Sequence, residues 1–268
     1  MAPGVGRRRI RFNHGNSGHH GNMWVRPLTR YDAIMLDPGH GGLDPTTGEY
    51  QTAGKRYTHT DVEPPWTFYE GVHNRRHCAL LARMLIGLGV RVYSTVDQRE
   101  ITQPPDVDGT SLAWRDVSLA GRTRYANDIH GKLASAGSRI AFVSMHGNAI
   151  GSRLKGPSTP AHGLVVFTSR GKTKSDELAA SITDAYRADP SLGFHIRDPK
   201  EASFHVLSRT RSPAVLIEAG FFTNLADAQR MASDEGSEAI ARGVFRGLMP
   251  YLKAVSYTHL TLPTIYSV

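Results

Sequence analysis

The sequence predicts an α/β fold, a single domain built on a twisted, mostly parallel sheet flanked by helices. Three observations carry this reading. Short apolar runs bounded by turn residues recur along the chain, helical stretches separate them, and no internal repeat or second domain boundary interrupts the alternation. The length of 268 residues suits one large α/β domain and is enough to bury most of its apolar surface without covalent staples.

Residues 1–29 are rich in Gly, Arg and His, carry no hydrophobic pattern, and are expected to be a disordered basic leader. Order is expected from Ala33-Ile34-Met35-Leu36, an apolar run that reads as a buried strand and stops at Asp37-Pro38-Gly39. Residues 41–66, rich in Gly, Pro, Thr and Tyr, read as a long loop. A helix is predicted over Phe68–Leu88, ended by Gly87 and Gly89. Arg91–Thr95 reads as a second strand, and 102–113 as another Pro/Asp-rich loop. A helix over Leu119–Ile129 and a strand over Ile140–Ser144 follow. Gly163–Ser169 is the next strand, Asp176–Arg187 a helix, and Ala214–Ile217 a further buried strand. Two helices, Asn224–Ser233 and Glu235–Leu252, complete a body expected to span 30–253. Ser256–Val268 has no charged residue and no clear period. It resembles translated sequencing-adapter read-through, so 254–268 is expected to be a non-native tail.

Composition narrows the chemistry. The single cysteine, Cys78, excludes an intramolecular disulfide and any zinc site built on two or more cysteines, so a metal must be held by His, Asp or Glu. No run reaches the about 18 apolar residues a membrane span requires, and the first residues lack the apolar core of a signal peptide. The net charge of +8 comes mostly from residues 1–30, which hold six arginines and no acid. The remainder has 26 basic and 24 acidic residues, so no specific nucleic-acid partner is expected.

Three strand ends carry polar groups suited to a metal: Asp37-Pro38-Gly39-His40, Ser144-Met145-His146-Gly147-Asn148, and Ile217-Glu218. In open α/β sheets these ends line the ligand crevice, so His40, His146 and Glu218 converge there despite their separation in sequence. Glu70 opens the first predicted helix and Asn74 follows at i+4 on the same face, the one as an oxygen ligand and the other as support beneath it. Two histidines and one carboxylate match the hydrolytic zinc pattern, with a fourth position for water. A second carboxylate must then carry protons, and Glu218 after an apolar strand fits, since partial burial raises its pKa. His59, His73 and His77 lie nearby and compete as ligands, the last two sharing a helix face.

With these residues in place the chain resembles the zinc-dependent N-acetylmuramoyl-L-alanine amidases of the amidase-3 type, found in bacterial autolysins and phage endolysins. The resemblance rests on Asp37–Gly42 (DPGHGG), Glu70 with Asn74, Arg122 with Ala126-Asn127, Ser144 with His146 and Asn148-Ala149, and Pro213–Glu218 with Gly220-Phe221 and Asn224, spread over about residues 31–252. It implies that His40, Glu70 and His146 hold Zn²⁺ and that Glu218 is the catalytic carboxylate. Asn74, Arg122 and Asn148 would then support the ligands or bind substrate. The implied reaction is hydrolysis of the amide between N-acetylmuramic acid and L-alanine in peptidoglycan, by a monomer acting on the cell wall. The absent signal peptide fits phage-type cytoplasmic synthesis and release, or a truncated secretion signal. Two other functions stay open at this point: a catalytically idle peptidoglycan-binding or regulatory domain, and a zinc carboxypeptidase acting on stem peptides. Loops 43–66 and 102–113 are longer than the simplest members need, and would shape a glycan groove or a partial lid.

Overall fold

The computed structural model describes residues 30–252, so the expected leader at 1–29 and tail at 254–268 lie outside the described residues. The chain opens on β1 (Ala33–Pro38), every residue of which is buried, and then leaves the sheet. Two short strands follow, β2 (Arg56–His59) and β3 (Trp66–Tyr69), before α1 (Glu70–Gly87). Next come β4 (Arg91–Ser94), β5 (Arg99–Ile101), α2 (Leu119–Ser135) and the long β6 (Ile140–Asn148). The second half runs β7 (Lys155–Gly156), β8 (Val165–Thr168), α3 (Lys174–Arg187), β9 (Lys200–Glu201), α4 (His205–Arg209), β10 (Ala214–Phe221), α5 (Leu225–Ala232) and α6 (Asp234–Leu248).

The main sheet has seven strands in the order β5-β4-β1-β6-β10-β8-β9. Its centre, β4-β1-β6-β10, is parallel, while β5 pairs antiparallel with β4 and β8 antiparallel with β10, and β9 adds in parallel to β8. The expected fold class is therefore what forms, a mostly parallel sheet with helices on both faces.

Strand alternation divides the core. Ile34, Leu36, Val143, Met145, Val215 and Ile217 face α1, α3 and α6, packing with Leu81, Leu85, Ile182, Ile240 and Val244. Ala33, Met35, Ile140, Phe142, Ala214 and Leu216 face the other way and meet Ala126 and Leu133 of α2 with Val206 and Leu207 of α4. Most helices start where the sequence offers a side-chain cap. Ser118 accepts from the Gly121 N–H at 3.1 Å, Asn224 from Asp227 at 3.1 Å and Ser233 from Gly236 at 3.0 Å. Thr173 and Asp176 form a reciprocal capping box at α3.

The first helix starts at Glu70 rather than Phe68, the second runs on to Ser135, and three larger readings need correction. Segment 41–66 is not a plain loop: β2 and β3 pair antiparallel, and β7 adds to β2 in parallel, making a separate three-stranded sheet. The third and last central strands do not stop at Ser144 and Ile217. They run on as β6 and β10 through the very residues read as post-strand loops. The final helix breaks at Leu248, after which Met249–Tyr251 forms one tight 3₁₀ turn around Pro250.

Candidate active site

The parallel strands β1, β6 and β10 deliver His40, His146 and Glu218 to the same end of the sheet, and the first residue of α1 delivers Glu70. His40 follows β1 by two residues, in a left-handed backbone conformation (φ 63°) that turns the chain sharply out of the sheet. His146 lies within β6, and Glu218 is its paired neighbour on β10.

The His40, Glu70 and His146 side chains converge. Glu70 Oε1 lies 3.3 Å from His40 Nε2 and 3.1 Å from His146 Nδ1. The two imidazoles meet edge to face with centroids 4.9 Å apart. The three offered ligand atoms all lie within 4.8 Å of one another, and this is the metal-type cluster among the described residues. Glu70 Oε1 also accepts the Gly147 N–H at 3.1 Å, while its buried Oε2 has no hydrogen-bond partner. A buried carboxylate with an unspent oxygen, facing two imidazole nitrogens, is a donor set that fits a divalent transition metal.

Electrostatics follow the geometry. Burial pushes the Glu70 carboxyl up, but hydrogen bonds and charge from His146 and His40 outweigh it and hold Glu70 well below the usual carboxylate range. Burial likewise opposes a charged His146. The hydrogen bond and charge of Glu70, with the charges of Glu218 and Asp37, nevertheless raise its pKa. Glu218 shifts the other way. Burial pushes its carboxyl up to about 7, with His146 lowering it and the Glu70 charge raising it further. Its Oε2 is buried and has no hydrogen-bond partner. The site thus holds one carboxylate locked in its anionic form and a second poised to exchange a proton near neutrality.

The turn carrying His40 is clamped through its carbonyls. Asn74 Nδ2 donates to Gly39 O at 3.1 Å, Arg75 Nη1 to His40 O at 2.9 Å, and Arg122 to Pro38 O at 2.6 Å and His40 O at 3.1 Å. Arg122 is 2% exposed and pairs with the 1% exposed Asp37 at 2.7 Å. Thr95 and Ser144 donate to the same carboxylate at 2.5 and 2.6 Å. Burial pushes Asp37 up, but the Arg122 charge and these hydrogen bonds outweigh it and lower its pKa. Two glycines permit the close packing. A Cβ on Gly39 would sit 2.3 Å from the His146 ring, and one on Gly71 would sit 2.0 Å from Gly41 O.

The predicted residues therefore sort cleanly by place. His40, Glu70 and His146 are brought together, Glu218 lies beside them, and Asn74 and Arg122 hold the turn beneath. Asn148 stands apart. It ends β6, and its Oδ1 folds back onto the Ala149 N–H at 2.8 Å rather than onto a ligand. The competing histidines are engaged elsewhere. His59 meets Phe222 O at 3.1 Å, His77 meets Met231 O at 3.0 Å, and the His73 ring stacks on Phe68 with centroids 4.2 Å apart. Sequence reasoning missed Arg75 and Asp37 as clamp members. Arg75 is five residues after Glu70 on the same helix and 3% exposed, and a charged residue so placed next to a ligand was the available signal.

The model of the N-acetylmuramoyl-L-alanine amidase family matches residues 34–249. The chain is 46% identical over 216 residues to N-acetylmuramoyl-L-alanine amidase CwlM of Bacillus licheniformis, across 80% of this chain and 66% of that protein. It is 30% identical over 118 residues to the uncharacterized protein YqiI of Bacillus subtilis, across 44% of this chain and 54% of that one. The chain thus spans about half to two thirds of these two relatives. A solved N-acetylmuramoyl-L-alanine amidase from Clostridium difficile 630 superposes with a TM-score of 0.58 at 23% identity, over 83% of this chain and 97% of that one. The amidase AmiC2 of Nostoc punctiforme gives 0.57 at 24%, over 83% and 98%. At these identities the two structures establish a shared fold.

Proposed function

The chain belongs to the N-acetylmuramoyl-L-alanine amidase family, and from that membership we propose that it hydrolyses the amide between N-acetylmuramic acid and L-alanine in peptidoglycan, with zinc held by His40, Glu70 and His146. The observation that carries the reading is the convergence of those three side chains beside a carboxyl group held near neutrality. A bound Zn²⁺ would polarise the scissile carbonyl and acidify the attacking water.

The chain's own residues supply the rest. Glu70, held anionic, keeps both imidazoles aimed at one point. Arg122, Arg75 and Asn74 fix the backbone of the His40 turn, so that this ligand is positioned before substrate arrives. Glu218 accepts the proton of the attacking water and returns it to the departing L-alanine nitrogen, a task suited to a carboxyl with a pKa of about 7. The catalytic unit is the single domain over 30–253. It is proposed to act as a monomer without a specific nucleic-acid partner, the latter in keeping with a body whose basic and acidic residues nearly balance.

Digestion of purified peptidoglycan with and without a chelator, followed by mass analysis of the fragments, tests this. The expected products are intact stem peptides with a free L-alanine amino group, lost on chelation and restored by zinc. Elemental analysis should give about one zinc per chain, falling together with activity in His40→Ala and His146→Ala. Release of terminal D-amino acids alone would indicate a carboxypeptidase, and binding without cleavage an idle wall-binding domain.

A further inference from the structure

At the opposite end of β6 and β10 lies a cavity of about 450 Å³, entered between the start of the sheet and the first residues of α3. Ile140 opens β6 in its wall, and Ser212 and Pro213 precede β10. His146 is six residues further along β6, so at a strand rise of about 3.3 Å per residue this cavity lies roughly 20 Å from the metal-type cluster.

Its lining is one-sided in charge. Arg139, Lys174 and Arg211 stand around it, and none of its 15 lining residues is acidic. Among the described residues none of these three cations takes part in a salt bridge. Three acids lie nearby: Asp176 accepts from the Thr173 N–H at 2.8 Å in the capping box, Asp32 accepts from the Arg139 N–H at 2.8 Å, and Glu177 in the first turn of α3 acts on Tyr31 in the wall. The helix α3 points its N-terminus here, adding the positive end of its dipole.

Several polar groups inside are unspent. Ser212 is 6% exposed, and its hydroxyl donates to no protein group among the described residues. His130 Nδ1 and Thr210 Oγ1 are buried without a partner. Ser175 accepts from the Ala214 N–H at 3.0 Å, which leaves its own hydroxyl proton free to donate. Buried donors normally find acceptors, so this concentration of unmatched groups beneath three cations calls for an anion with several acceptor oxygens. Tyr31, Ile140, Leu207 and Pro213 add an apolar wall, and the volume exceeds what a bare oxyanion fills.

We propose that this cavity is a binding site for an organic phosphate, the phosphoryl oxygens taken by Arg139, Lys174, Arg211 and the Ser212 hydroxyl, and the carbon portion lying on the apolar wall. The ligand is either a free phosphomonoester or one unit of a phosphodiester polymer, since both present at least two anionic non-bridging oxygens.

Calorimetric titration of the full chain at ionic strength held constant with NaCl tests the site, using inorganic phosphate, glycerol 3-phosphate and bis(glyceryl) phosphate. Saturable binding of an organic ester is expected. Preference for the monoester assigns a small metabolite and preference for the diester a polymer. Lys174→Gln and Arg211→Gln should each weaken binding about 10- to 100-fold, the cost of a charged hydrogen bond. Ser212→Ala should weaken binding too, while leaving the ligand-free Tm unchanged, because it breaks no bond in the unliganded protein; a purely structural serine would lower that Tm. His146→Ala should leave the affinity as it was. The proposal is overturned if neither ester binds saturably, or if inorganic phosphate binds and the esters do not. It also fails if binding disappears in His146→Ala yet persists in the Lys174 and Arg211 variants, which would put the anion at the metal cluster.

Discussion

Replacing Arg122 by Met should be strongly destabilising, and its cost should depend on pH in a particular direction. Met keeps the volume of the side chain and removes five hydrogen bonds: to Val117 O at 2.8 Å, Asp37 Oδ1 at 2.7 Å, Pro38 O at 2.6 Å, and His40 O and Asp116 Oδ1 at 3.1 Å each. Asp37 is then left as a buried carboxylate with two hydroxyl donors and no cation. Breaking a buried pair in this way costs about 3–5 kcal/mol. For a domain of this size that is a fall in Tm of roughly 6–20 °C. In the parent protein Asp37 has a lowered pKa, so its contribution is present above the unfolded value of about 3.9 and is lost only as pH falls through the still lower folded value. In the variant the cation that outweighed burial is gone. The Asp37 pKa then rises above its unfolded value, and protonation relieves the buried charge. The stability difference between parent and variant should therefore be largest at pH 7 and shrink towards pH 4. Denaturant unfolding at several pH values measures it, and metal content should fall in parallel because the His40 turn loses a clamp. Asp37→Asn in the Arg122→Met background should recover part of the loss. A cost below about 1 kcal/mol at pH 7, or one that does not change between pH 7 and 4, would refute the reasoning.

Glu218→Gln should retain fold and zinc but lose about 10²–10⁴-fold in kcat, the usual contribution of a general acid–base; loss of zinc in the same preparation would reassign Glu218 as a ligand. Gly39→Ala should displace the His146 ring, since the added methyl would lie 2.3 Å from it, and lower zinc occupancy without unfolding the sheet; unchanged zinc affinity would count against the packing argument. Burial, with the Met231 carbonyl opposing and the Arg76 charge assisting, lowers His77 to about 4; burial with the His77 and Arg76 charges lowers His73 to about 3. Both folded values lie below the unfolded 6.5, so the stability these neutral rings contribute is complete above pH 6.5 and drains away as pH falls towards 4. The slope reaches up to about 1.4 kcal/mol per pH unit for each ring. Denaturation midpoints from pH 7 to 4.5 should fall less steeply in His77→Gln than in the parent, and identical slopes would show that His77 does not contribute.

The candidate metal cluster was legible because His40 and His146 follow apolar runs, His40 in the glycine-rich turn of Leu36–Gly42, while Glu70 opens a helix. The same signals misplaced the strand ends. Ser144-Met145-His146-Gly147 reads as a departure from the sheet because polar and small residues interrupt the apolar run, yet β6 continues, because its backbone pairs with β1 as far as Met145 and with β10 through Asn148. Pairing between distant segments leaves no mark in a local window. That also hid the three-stranded sheet, in which Thr58 and His59 find their parallel partners in Lys155 and Gly156, almost a hundred residues later. Asp37 was read only as one polar group of a metal-type motif. Its role as a buried counter-ion depends on Thr95, Arg122 and Ser144 arriving from three other elements.

The pairing of Glu218 with His146 across β10 and β6 makes the site sensitive to parity. One residue inserted between Ile140 and Met145, or between Ala214 and Ile217, would turn His146 or Glu218 to the opposite face of the sheet. Two would restore the face but slide the pair apart by about 7 Å along the strand axis. The exposed turn over 45–49 carries no such constraint, whereas Tyr50 and Thr52 beyond it are tied to Gly71 and Gly41 by hydrogen bonds of 2.9 and 2.8 Å. Variation in length is thus open to that exposed turn and closed to the strands that carry His146 and Glu218.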